Sequence, residues 1–257
     1  MRFKITLNID NTTFRNRLPL NYQYEMSAAL YKILYSANEE YAVWLHNNGY
    51  LADKLTFKLF TFSRLHIPNY RIKPPFIEIQ SDTVEWLISF LPGRSTQEFI
   101  QGLFKEQSFD LGNRQANVHF QVKSVEMVPP PEFEETMIFE TLSPACIVLK
   151  RDDGGENYIA PDNPQASEQV KINLLNKYKA FMGEDFPETD FPFALKALTA
   201  PKSSLIAIKS GTPQETKIRG FMCKFQLTAP VELMKIAYEC GVGGKNSQGF
   251  GMVRMVK

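Results

Sequence analysis

The sequence predicts an α+β protein of two tandem ferredoxin-like (RRM-like) domains, carrying a glycine-rich loop near its C-terminal end. Three observations lead there. Strand-like and helix-like segments follow in the order β-α-β-β-α-β, and that order then recurs. A stiff proline run, Pro129-Pro130-Pro131, separates the two sets. The segment 241–251 then gathers Gly241, Gly243, Gly244, Gly249 and Gly251 out of fourteen glycines in the chain.

The elements read as follows. Phe3, Ile5, Leu7 and Ile9 alternate with polar residues, which predicts a first strand. Tyr24 to Ala37 carries Met26, Leu30, Ile33, Leu34 and Ala37 at helical spacing, and Glu39 to His46 continues helically after Asn38. Lys58 to Ser63 and Phe76 to Ile79 read as strands. Thr83 to Phe104 reads as mostly helical, interrupted at Pro92-Gly93, and Val118 to Val122 returns to strand. Beyond the prolines come strand-like Met137 to Leu149, a helix over about 168–181, and strands at Leu205–Lys209 and Phe221–Leu227. A helix starting at Val231 and a short final strand complete the second set. Asp152-Asp153-Gly154-Gly155-Glu156-Asn157 reads as an exposed hairpin turn. The expected division is 1–129 and 130–257. A single α+β domain is the alternative.

Composition narrows the function classes. Hydrophobic residues make up 44% and charged residues 22% of 257, the balance of an ordinary globular protein. With Lys+Arg 29 against Asp+Glu 28 there is no global basic field, so any nucleic-acid surface must be local. Cys146, Cys223 and Cys240 are widely spaced and form no metal-ligand or disulfide pattern. No signal peptide or membrane-spanning run is evident, and the expected compartment is the cytoplasm.

The glycine-rich segment predicts a phosphate-bearing ligand. Without Cβ atoms a backbone can press its N–H groups against an anion. Lys245 adds a cation, and Asn246, Ser247 and Gln248 add neutral donors. The order of elements argues against a nucleotide cofactor, because a dinucleotide loop runs from strand to helix. Here a helix precedes the loop and a strand follows. Lys245 is followed by Asn246, which also departs from the P-loop ending. A turn that merely ends a helix would need Gly241 alone.

At this point the residues resemble a family: the CRISPR-associated endoribonucleases that cut the repeats of precursor CRISPR RNA, Cas family six. The loop Gly-Val-Gly-Gly-Lys-Asn-Ser-Gln-Gly-Phe-Gly-Met-Val is similar to that family's signature almost residue for residue. Met1-Arg2-Phe3, Lys58 to Ser63 and Thr141-Leu142-Ser143-Pro144 agree in position, so the resemblance spans the chain. It implies two ferredoxin-like domains, the first carrying the chemistry and the second the loop. It also implies a metal-independent RNase with no cofactor. The RNA's own 2′-hydroxyl would be the nucleophile, leaving a 2′,3′-cyclic phosphate and a 5′-hydroxyl.

The resemblance also assigns roles. His46 becomes a general acid or base, Lys58 a stabiliser of phosphate charge, and Tyr31 a group that orients the 2′-hydroxyl or shares in proton transfer. The RNA-binding residues become Gly241, Gly243, Gly244, Lys245, Asn246, Ser247, Gly249 and Gly251. Lys54 competes with Lys58 for the cationic role, and His66 and His119 are weaker candidates than His46. Arg2, Lys4, Lys217, Arg219 and Arg254 are further basic residues that could face RNA. The implied partner is CRISPR repeat RNA in the precursor transcript, with no membrane. A Cas effector complex and a homodimer are left open. The alternative function is a non-catalytic RNA-binding subunit of such a complex.

Overall fold

The computed structural model describes residues 1–9, 16–210 and 212–256. Its first sheet is antiparallel, in the order Phe60–Phe62, Thr83–Phe90, Arg2–Ile9, Asn117–Val128, Ser108–Gly112. Three helices belong to this half: α1 (Gln23–Ala37), α2 (Glu39–Asn47) and α3 (Arg94–Lys105). Numbering the four main strands by chain order gives the spatial order 2-3-1-4, with one extra strand beside the fourth. That is the ferredoxin-like arrangement, reached through β-α-β-β-α-β connections. The alternation in the first strand sends Phe3, Ile5, Leu7 and Ile9 into the core. Met26, Leu30, Ile33 and Leu34 of α1 and Phe99 and Leu103 of α3 belong to the same core.

The second half repeats the pattern. Its sheet runs Ala194–Ala197, Lys224–Thr228, Thr136–Thr141, Val253–Met255. Helix α4 (Ala166–Met182) follows the first of these strands in the chain, and α5 (Val231–Cys240) follows the third. The spatial order is again 2-3-1-4. Leu59 and Leu91, from the first half, belong to the core of the second.

Several elements differ from the sequence-based expectation. Thr83–Phe90 is a strand, not the start of a helix. Val84, Trp86, Ile88 and Phe90 alternate and are buried, a period of two that outweighs the helical reading, and the helix starts only at Arg94. Phe76–Ile79 sits outside the main sheet, in a three-stranded side sheet with Arg17–Pro19 and Tyr70–Lys73. The expected strand 58–63 narrows to Phe60–Phe62, because Leu59 takes a positive φ of 54° and turns the chain. Lys202–Ile208 pairs with Thr216–Met222 in a separate hairpin, so the second strand of the second sheet is instead Ala194–Ala197. The turn expected at 152–157 does join a hairpin, Ile147–Lys150 with Glu156–Ile159.

Candidate active site and nucleic-acid interface

Helix α1 presents Gln23, Ser27 and Tyr31 four residues apart, on one face. Asn38 ends α1 and starts α2, its side chain accepting from Tyr41 N at 2.9 Å. Helix α2 therefore runs back beside α1 and places His46 in its last turn. The chain continues through a small hairpin, Tyr50–Ala52 with Leu55–Phe57, and returns at Lys58.

These segments bring Tyr31, His46 and Lys58 together. The Tyr31 and His46 rings meet edge-on with centroids 5.1 Å apart, and the edge of Phe60 packs against Tyr31 at 5.9 Å. Lys58 Nζ donates to His46 O at 2.8 Å. His46 Nδ1 lies 3.0 Å from Asn47 Oδ1, which can only accept. Which ring nitrogen donates and which accepts follows the tautomer, and the ring as a whole offers one of each. Burial pushes the Tyr31 phenol above its ordinary value and the Lys58 ammonium below its own. Tyr31, Tyr35, His46 and Asn47 line a cavity of about 290 Å³.

The competing candidates lie elsewhere. Lys54 is exposed in the hairpin turn beside Asp53. His66 is exposed and bridges Glu85 through the backbone. His119 Nδ1 faces Asp110 Oδ1 at 2.5 Å. Among the described residues no group of three or more His, Cys, Asp or Glu side chains is arranged to hold a metal ion. No helix among them is long and apolar enough to cross a membrane.

The glycine-rich loop is folded against both halves. Gly241, Gly243, Gly249 and Gly251 are buried, whereas Gly244 to Gln248 are half-buried. A Cβ on Gly243 would stand 2.3 Å from Cys146 O, and one on Gly251 2.1 Å from Val242 O. At both positions φ is positive, so a side chain fails on space and on backbone conformation. Ser27 Oγ donates to Ser247 O at 2.7 Å and Thr61 Oγ1 to Phe250 O at 2.9 Å. The loop is thereby tied to α1 and to the strand that follows Lys58. Its open side, Gly244 to Gln248, lines a second cavity of about 200 Å³ together with Lys58.

Other basic residues have partners within the protein. Arg2 is 3% exposed and donates to Val253 O and Tyr238 O, so it is a clamp between the halves and no surface for RNA. Lys4 pairs with Glu126, and Arg254 with Glu140. Arg219 Nη1 reaches Ser203 Oγ at 2.6 Å. Lys177, by contrast, escaped the sequence reading. It lines the second cavity from below, with Nζ 2.7 Å from Gly241 O and 2.9 Å from Gly243 O. The signal was present: Val170, Leu174, Lys177 and Tyr178 fall on one helical face, where a lysine is out of place.

Comparison with known proteins follows the same two halves. A family model described as CRISPR-associated protein Cas6, N-terminal, matches residues 17–126. One described as CRISPR associated protein Cas6, C-terminal, matches residues 128–255. A protein of Methanocaldococcus jannaschii named CRISPR-associated endoribonuclease Cas6 1 is 33% identical over 98% of this chain and 92% of its own. The chain belongs to the Cas6 family. Among solved structures, a Cas6-related protein from Pyrococcus furiosus superposes with a TM-score of 0.84 at 24% identity, covering 100% of this chain and 98% of that one. One described as a RAMP protein binding different RNA substrates gives 0.82 at 24% identity, covering 100% of both chains. The likeness to these Cas6-related structures agrees with the two ferredoxin-like sheets described above.

Proposed function

We propose that this chain is a metal-independent endoribonuclease that cuts CRISPR repeat RNA within precursor crRNA in the cytoplasm. The convergence of Tyr31, His46 and Lys58 from three separate segments carries this reading. The endoribonuclease name of the Methanocaldococcus relative supports it. Residues 1–129 would form the domain with the chemistry, and 130–257 the domain whose loop binds RNA.

The chemistry is transesterification. The substrate's 2′-oxygen attacks the adjacent phosphorus and the bond to the 5′-oxygen breaks, leaving a 2′,3′-cyclic phosphate and a 5′-hydroxyl. One group must take the 2′ proton and one must protonate the 5′-oxygen. His46 suits either transfer because a neutral imidazole carries one nitrogen that accepts a proton and one that donates. Tyr31, held against His46 with its phenol protonated, donates a hydrogen bond that orients the 2′-hydroxyl. Lys58 offsets the charge that builds on the phosphate oxygens. Gly244, Lys245, Asn246 and Ser247 offer polar groups to the RNA backbone. The buried glycines Gly241, Gly243, Gly249 and Gly251 act there by letting the loop approach the sheet.

The test is cleavage of labelled repeat RNA in EDTA. Wild type should cut, and a substrate with one 2′-deoxy nucleotide at the cut site should resist. His46→Ala should lose about 10²–10⁴-fold in rate with little change in RNA affinity. Tight binding with no cleavage by wild type would instead assign the RNA-binding subunit role.

A further inference from the structure

The first sheet is covered on one side by Ser108–Gly112, but that strand is short. It pairs with residues 117–121 of Asn117–Val128, and Val122 N then donates to Gln107 O at 2.8 Å. Beyond Val122 nothing among the described residues pairs with the outer side of the strand, while its inner side stays paired with Arg2–Ile9 up to Val128. Pro129, Pro130 and Pro131 then end it. The open stretch is Lys123-Ser124-Val125-Glu126-Met127. Unpaired N–H and C=O groups along such an edge are a template for another strand.

Apolar side chains crowd this edge. Val125 faces Ile5 and Met127 faces Phe3 across the sheet, so both belong to the helix-bearing face. Yet Val125 is 37% and Met127 65% exposed, and Phe104, near the end of α3 and just before Gln107, is 75% exposed. On the opposite face Glu126 pairs with Lys4 at 3.1 Å. A register shift between Thr6 and Leu7 leaves Lys123 opposite no residue, so it bulges out of the alternation. No carboxylate among the described residues forms an ion pair with it.

We infer that this edge pairs, antiparallel, with the same edge of a second copy of the chain, about a two-fold axis at Val125. A two-fold axis through a continuous sheet keeps each face on its own side, so it must fall on a residue and not between two. Centring on Glu126 sets two glutamates opposite each other, and centring on Ser124 runs Met127 onto residue 121, already taken by Ser108. Centring on Val125 uses the whole open stretch. Val125 then meets Val125, and Met127 of the second copy lies opposite Lys123, next to Val122 and on the side of Phe104. Glu126 of the second copy lies opposite Ser124, within reach of the adjoining Lys123. The contact is apolar on the helix face and carries two equivalent Lys123–Glu126 pairs. Phe60–Phe62, the strand that follows Lys58, is the opposite edge of the same sheet, so the pairing leaves the candidate active site uncovered and does not rest on the nuclease reading.

Sedimentation of the full chain between about 1 and 100 µM tests the pairing, and wild type should pass from monomer to dimer in that range. Lys123→Glu and Glu126→Lys, both at exposed positions, should each weaken self-association by at least about tenfold, because each sets like charges across the axis twice. Mixed in equal amounts the two variants should form a heterodimer, in which every such pair is again opposite in charge. Val125→Cys should cross-link on mild oxidation, since the two residues meet on the axis and the native cysteines are buried. Met127→Cys, displaced from the axis, should not. A wild type that stays monomeric at about 100 µM overturns the inference. So does a dimer that the charge variants leave intact, which places the contact elsewhere. A dimer formed only with repeat RNA, without the Val125→Cys cross-link, overturns it as well, because the RNA then joins the copies.

Discussion

Arg2 and Lys177 are both almost wholly buried cations, and both donate to two backbone carbonyls, yet their surroundings differ. The Arg2 guanidinium lies 3.7 Å from the centroid of the Tyr238 ring and feels the charge of Glu239 on the same helix. Glu239 is held in turn by the N-terminal ammonium at 2.8 Å and by Ser89 at 2.6 Å. Arg2 thus joins the first strand of the chain to α5 and the last strand inside a compensated cluster. Lys177 has carbonyls and a cavity. The difference separates a cation met by a ring, a carboxylate and carbonyls from one met by carbonyls alone.

The largest expected effect is on the clamp. Arg2→Met should destabilise by about 2–5 kcal/mol, because two buried carbonyls lose charged donors and the cluster loses its cation. A shift of less than about 1 kcal/mol in denaturant unfolding would erase the contrast with Lys177. Gly243→Ala comes next, at about 2–3 kcal/mol, since its Cβ would meet Cys146 O at a positive φ. A loss below about 1 kcal/mol in denaturant unfolding would show that the loop backbone yields at this position.

Lys177→Met should change stability by less than about 1 kcal/mol at pH 7, as the relief of burying a charge offsets two unpaired carbonyls. Its pH dependence sharpens the point. The folded pKa of about 8 lies below the ordinary 10.5, so the unfolded chain holds the extra proton between those values. The penalty is fully present below about pH 8 and is relieved as pH rises. Wild type should therefore gain on the methionine variant across that window, by at most about 3 kcal/mol. The neighbours Cys240, with its thiol pushed to about 12, Lys58 and Lys245 must be common to both proteins in that comparison.

The smallest effect is at the surface of the same helix. Lys179 pairs with Asp53 at 2.9 Å and with Asp185 at 3.1 Å, and Asp53 is 69% exposed. Asp53→Asn should cost under about 0.5 kcal/mol, a loss that salt reduces further.

Much of the fold could be read from periodicity. The alternation of Phe3, Ile5, Leu7 and Ile9 and the helical spacing of α1 and α4 are local patterns, and burial followed them. The misread stretch, Thr83–Phe90, was also locally legible, since its buried residues alternate. The helical pattern of the following α3 was carried too far back across Pro92-Gly93. The side hairpins were harder, because short strands such as Ala194–Ala197 exist only through their partners. At the candidate site, the resemblance to the family singled out Tyr31, His46 and Lys58, since residue type alone leaves Tyr35 and Tyr41 equally plausible. Their approach depends on α2 folding back after Asn38 and on a hairpin between His46 and Lys58, which spacing does not specify.

Sequence alone therefore determined the α+β class with two ferredoxin-like halves, the glycine-rich loop and the family, whereas the strands that fill the middle of each set, Thr83–Phe90 and Ala194–Ala197, were fixed by their partners. Tertiary structure decided which cations are buried and which carbonyls they meet. Arg2 opens the first strand and Lys177 sits late in α4, and nothing local distinguishes a lysine that faces water from one that faces carbonyls. Burial is set by which helix face meets which loop across a distance of 64 residues, and only the folded chain closes that distance.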